Sequence, residues 1–138
     1  MISRTLSKQF INMFLPLVVL LGSLPCMAQD AIDKAGDDTI RVIKEYERNH
    51  DAKAIRLWLT EYHGEATGHQ VMIVFAEWAM KHQSDFISIA EGIKKEKQKE
   101  FAESFAFALT DSGSDREFKG NFRGYKSKVL RLILDKLP

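Results

Sequence analysis

The chain has 138 residues, with 20 basic and 19 acidic groups, four histidines and one cysteine, and a formal net charge of +1. A balance this even argues against a general nucleic-acid binder, which needs a strongly basic surface. The lone cysteine, Cys26, offers no disulfide partner, so the fold must be held by its core.

Arg4 and Lys8 open the chain, and residues 10–21 are almost all apolar, Asn12 excepted. Small residues and Pro25 follow, as far as Ala28. That order is the layout of a secretory signal peptide, with cleavage expected after Ala28. The apolar stretch is about a dozen residues, short of the roughly 20 that span a bilayer. Lipidation of Cys26 is disfavoured because Pro25 replaces the small residue such a site wants. Without the leader no cysteine remains for nucleophilic or metal chemistry. The expected division is a signal peptide over 1–28 and one helical domain over 29–138, periplasmic or secreted, with no stable membrane span after the leader is removed. A domain of this size buries roughly 60–70% of its unfolded surface.

From residue 29 to the final Pro138 there is no proline, and no window alternates strictly between apolar and polar. The expectation is an all-α fold of about six helices, an irregular bundle or a short α-solenoid. Residues 29–36 read as frayed. Asp37 or Asp38 is expected to cap a first firm helix over 37–48, with Thr39, Val42, Ile43, Tyr46 and His50 on one face. Asp51 caps a second helix over 52–63, whose stripe is Ile55, Trp58, Leu59 and Tyr62. Leu57 lies off that stripe, and Gly64 stops the helix in a left-handed pose.

Val71 to Met80 is the most apolar run outside the leader, with Glu77 its one charge. It is expected to be a central helix over 69–81, opened by a Thr67/Gln70 capping box. Ser84 caps a fourth helix, where Phe86, Ile89, Ala90 and Ile93 form the stripe and Gly92 ends it. A solvated charge run over 94–100 opens a fifth, with Phe101, Ala102, Phe105, Ala108 and Leu109 inward and Phe107 off the face. Ser114 and Glu117 read as a second capping box, starting a long helix to about Lys136. Gly120 and Gly124 threaten to break it near Asn121, or to admit another backbone closely. Helical pairs begin near Asp38, Thr67 and Glu96, a spacing like that of repeat arrays, without a repeat signature.

Few residues suggest chemistry. His63, Glu65 and His69, with Glu61, have metal-ligand types, but the histidines are six apart with two glycines between, so the helical zinc pattern fails. No nucleophile-base set, glycine-rich phosphate loop or carboxylate pair free of capping duty is present, so no enzyme, cofactor or metal site is expected. Arg116, Lys119, Arg123 and Lys126 fall at i, i+3, i+7 and i+10 of the last predicted helix, a basic edge suited to an acidic protein partner. Residues 29–92 are net acidic and 93–138 net basic, so the domain is a dipole. If exposed, Leu57 and Phe107 mark a homodimer or partner patch. The expected function is a non-enzymatic protein-binding module of the envelope. The narrower alternatives are an immunity protein or inhibitor of a toxic enzyme, and a structural protein associated with anionic lipid.

Overall fold

The computed structural model describes residues 27–61 and 63–138. All but the last two residues of the expected leader, and Tyr62 of the second predicted stripe, lie outside the described residues. Seven helices and no strand occur among the described residues: α1 over 27–49, α2 (Ala52–Thr60), α3 (Glu65–Ala79), α4 (Gln83–Glu91), α5 (Lys95–Asp111), α6 (Asp115–Asn121) and α7 (Lys128–Leu134). None of them is long and apolar enough to cross a membrane.

The helices form an irregular bundle around one core. Helix α2 packs on α5 and α4 packs on α7, skipping neighbours in the chain. A solenoid, which stacks each unit only on the next, does not make such contacts. The expected centre, α3, is buried at Val71, Met72, Phe75, Ala76 and Ala79. The hub, however, is α5, which packs against α2, α3, α6 and α7. The charge run at its start hides this in the sequence.

Phenylalanine holds the centre. Phe75 of α3, Phe86 of α4, Phe105 of α5 and Phe118 of α6 have no exposed surface. Phe86 and Phe105 stack with ring centroids 5.1 Å apart, and Phe118 meets Phe105 edge-on at 5.4 Å. Phe122 stacks on Phe118 at 4.3 Å, and Phe101 joins Phe105 at 5.6 Å. Offset and edge-to-face rings gain more than their buried area alone supplies.

Helix α1 differs from its expected start. Residues 29–36 are helical, and Asp37 and Asp38 lie inside the helix instead of capping it. Asp38 takes Lys34 at 2.7 Å and Arg41 at 2.9 Å, the helical neighbours on either side. The bond from Lys34 holds its carboxyl below the usual range. Ala35 is buried, and Gly36 sits where an added Cβ would touch Gln70 of α3 at 3.4 Å. The expected face is buried at Thr39, Ile43 and Tyr46, while His50 is exposed. Thr39 donates to the Ala35 carbonyl and accepts from Trp58 Nε1 at 3.0 Å, joining α1 to α2.

Several helix ends are finished by distant side chains. Arg56 of α2 donates to the carbonyls of Ile89 at 3.0 Å and Ser88 at 2.8 Å, closing α4. Its guanidinium occupies the space a Cβ on Gly92 would need, 2.0 Å away. Gln98, inside the charge run yet buried, donates to the Ile93 carbonyl at 2.8 Å. Helix α4 begins at Gln83, so Ser84 is not its cap.

The long last helix does not form. Helix α6 ends at Asn121, Gly124 takes φ +90°, and Ser127 caps α7 by accepting from the Leu130 N–H at 3.1 Å. Phe118, Phe122, Val129 and Ile133 stay buried as expected, but Tyr125, in the connection, is 41% exposed. Of the two outcomes the glycines allow, the break near Asn121 is the one that occurs; no backbone among the described residues approaches Gly120 or Gly124 closely, and an added Cβ there would meet open space. Glu91 braces the joint by accepting from the Ser127 hydroxyl and from the Val129 N–H at 3.3 Å.

Two outcomes follow from this packing. Phe105→Ala should cost about 3–5 kcal/mol in urea unfolding. Phe107→Ala, on the same helix but exposed, should stay within about 0.5 kcal/mol of the parent. Ser127 and the neighbouring amides of α7 hold the Glu91 carboxyl below its ordinary value of 4.5, against partial burial. Its folded value is lowered, so its contribution is present above the unfolded value and is lost as pH falls through the folded one. Stability of the parent and of Glu91→Gln, compared across acid pH, should differ most above pH 4.5, and the difference should shrink progressively as pH falls from there through the lower folded-state value.

Candidate functional site

The α5 residues that face away from the phenylalanine core form a second stripe. Glu100, Glu103, Ser104, Phe107 and Asp111 fall at i, i+3, i+4, i+7 and i+11. Opposite lie Glu65, His69 and Met72 of α3 and the end of α2 with its connection. Between them is an open groove of about 800 Å³. Its floor is apolar: Leu59, Met72 and Phe101 line it and are themselves nearly buried. Phe107 projects beside it, 63% exposed, and also borders a smaller depression with Leu137 and Pro138. Among the described residues five carboxylates rim the groove, Glu61, Glu65, Glu100, Glu103 and Asp111, against one lysine, Lys97.

Local chemistry sets the groove's end wall. Helix α2 stops at Thr60, three residues before its expected end, because Glu61 turns extended at ψ 151°. His63 then folds back, donates from Nε2 to the Trp58 carbonyl at 2.7 Å and lies tilted against the Trp58 ring, with centroids 4.4 Å apart. The imidazole thereby satisfies a carbonyl that a helix end leaves open. Gly64 has positive φ as expected, but with φ 82° and ψ 168° it precedes α3 instead of ending α2. That region is essentially reserved for glycine. The Thr67/Gln70 capping box is not made: Thr67 is inside the helix, and its hydroxyl is buried without a partner among the described residues.

His69 donates from Nε2 to Asp111 Oδ2 at 2.9 Å and tilts over the Phe107 ring at 5.2 Å. His63, Glu65 and His69 do line one groove, yet the two histidines serve separate partners. Among the described residues no three His, Cys, Asp or Glu side chains stand close enough to share a metal ion. Ser104 lies in the same groove as the His69–Asp111 pair, the residue types of a hydrolytic triad. The nitrogen left to take a proton, Nδ1 of His69, is buried and has no hydrogen-bond partner among the described residues, Ser104 included. A nucleophile and its base must be within hydrogen-bond reach.

The basic quartet is divided. Arg116 and Lys119 are on α6, whereas Arg123 and Lys126 lie in the connection to α7, all four exposed. The single helix that would align them is interrupted at Asn121, and Lys119 bonds to the C-terminal Pro138 carbonyl. Ser114 stands at the start of α6 but makes no capping bond to its helix. Of the two off-stripe apolar residues, Leu57 is 59% exposed on α2 and only Phe107 borders the groove. Sequence reasoning missed Glu100, Glu103 and Asp111 as one face. The helical spacing contained that signal, but nothing local shows which stripe has a groove opposite it.

Comparison with family models, with curated proteins and with solved structures finds no match to this chain. The groove must therefore be interpreted from its own chemistry.

The unpartnered Thr67 hydroxyl permits a direct test of the helix start. A capping threonine replaced by an apolar residue loses about 1 kcal/mol. A buried hydroxyl with no partner gains from removal. Thr67→Val should leave the urea midpoint unchanged or raise it.

Proposed function

We propose that this chain is a non-enzymatic protein-binding module and that the groove between α3 and α5 is its docking site. The observation that carries this reading is Phe107. A large aromatic side chain stands mostly in solvent beside an apolar-floored groove, on the helix that forms the hub of the core. Exposed aromatics next to apolar concavities are typical anchors of protein interfaces. The groove's polar side chains favour binding over catalysis, since His63 caps α2 and His69 is held by Asp111 with its other nitrogen buried. The leader over 1–28 supports action in the periplasm or envelope. The quartet of Arg116, Lys119, Arg123 and Lys126 supports an acidic partner less well, because the broken helix does not align its charges.

Site-specific photocrosslinking in the native host tests the site. A benzoylphenylalanine in place of Phe107 should yield one discrete protein adduct. The same probe at the exposed Lys81, in the turn just beyond the far end of α3, should not. Equal labelling from both positions, or from neither, overturns the assignment.

A further inference from the structure

The charge on the groove's walls narrows what its occupant can be. Glu61 and Glu65 stand on the α2–α3 side, exposed and without an ion pair among the described residues. Glu100 and Glu103 stand exposed on the α5 side. Their cations are loosely held: Lys97 is 3.6 Å from Glu100, and Lys136 is 3.7 Å from Glu103. Contacts of that length between exposed groups contribute little and are readily exchanged. The groove therefore presents carboxylates on both walls above an apolar floor.

We propose that the occupant is a cationic, apolar-anchored peptide segment of another protein. The proposal rests on the docking reading above and adds the partner's chemistry. An apolar or aromatic side chain of the segment sits on Met72 and Phe101 beside Phe107. Lysines or arginines flanking it meet Glu61 and Glu65 on one side and Glu100 and Glu103 on the other. An acidic segment would place like charges against both walls, which costs affinity and suppresses wrong partners. The apolar contact sets the lifetime of the complex, and the carboxylates set its rate of formation and its salt dependence.

Fluorescence anisotropy with the full chain and three synthetic peptides of equal length tests this. One interleaves lysine with phenylalanine, one carries glutamate in place of lysine, and one carries serine in place of phenylalanine. The lysine–phenylalanine peptide should bind, and its affinity should fall at least about tenfold when ionic strength rises from about 0.1 to 1 M. The other two peptides should each bind at least about tenfold more weakly. Glu61→Gln combined with Glu100→Gln should weaken binding of the lysine–phenylalanine peptide and remove most of its salt dependence, with the helical circular-dichroism spectrum unchanged. If the glutamate peptide binds as tightly, the cationic partner is overturned while the docking groove stands. If the serine peptide binds equally, only diffuse charge attraction is present and the anchored segment is overturned. If no peptide binds, or Phe107→Ser leaves the affinity unaltered, the docking reading falls as well.

Discussion

The packing of Phe75, Phe86, Phe105, Phe118 and Phe122 against one another is the constraint from which the rest of this molecule follows. Four of these rings come from α3, α4, α5 and α6 and the fifth, Phe122, from the residue that ends α6; all are buried. A chain of this size has little surface to remove from water, so large, shape-specific side chains contribute disproportionately. The cluster also dictates what faces outward. With Phe101, Phe105, Ala108 and Leu109 committed to the core, the helical turn leaves Glu100, Glu103, Phe107 and Asp111 no inward place. The groove is the other side of the core's own geometry.

Helix ends in this fold are finished by side chains both near in the chain, as at Asp51, His63, Gln98 and Ser127, and far from it, as at Arg56 and Glu91. Arg56 closes α4, Gln98 reaches back to the turn before its own helix, Glu91 braces the start of α7, and His63 closes α2. Each satisfies backbone groups that a helix terminus leaves unpaired. The two local capping boxes that the residue spacing suggests are both unmade. At α3 the cap position belongs to Gly64, and at α6 the Ser114 backbone, with ψ 2°, does not take the extended form the box requires. Long-range capping couples the helices to one another and makes their boundaries a property of the whole bundle.

The same coupling accounts for what was legible in the chain. Buried stripes were readable wherever a face of 3.6-residue period ran through a helix, as at Ile55 and Leu59, at Phe86, Ile89, Ala90 and Ile93, and along α5. Even across the break between α6 and α7, Phe118, Phe122, Val129 and Ile133 keep their burial. Off-stripe exposure at Leu57 and Phe107 was readable for the same reason. Boundaries were not. Asp38 resembles a cap but is held inside α1 by Lys34 and Arg41, and Gln98 resembles a solvated residue but is buried as a cap. The groove was half visible: its α5 face has helical spacing, while its α3 face and end wall depend on where Gly64 turns the chain.

The burial of Gln98 and the exposure of His50 and Tyr125 aside, the sequence by itself determined the helical class and most of the buried stripes. Those are consequences of local periodicity, and they hold whatever the helices pack against. Only the tertiary structure decided that α5 is the hub, that the last helix divides at Asn121, and that five carboxylates and Phe107 share one groove. Each of these depends on contacts between residues far apart in the chain, whose free energy no single helix contains.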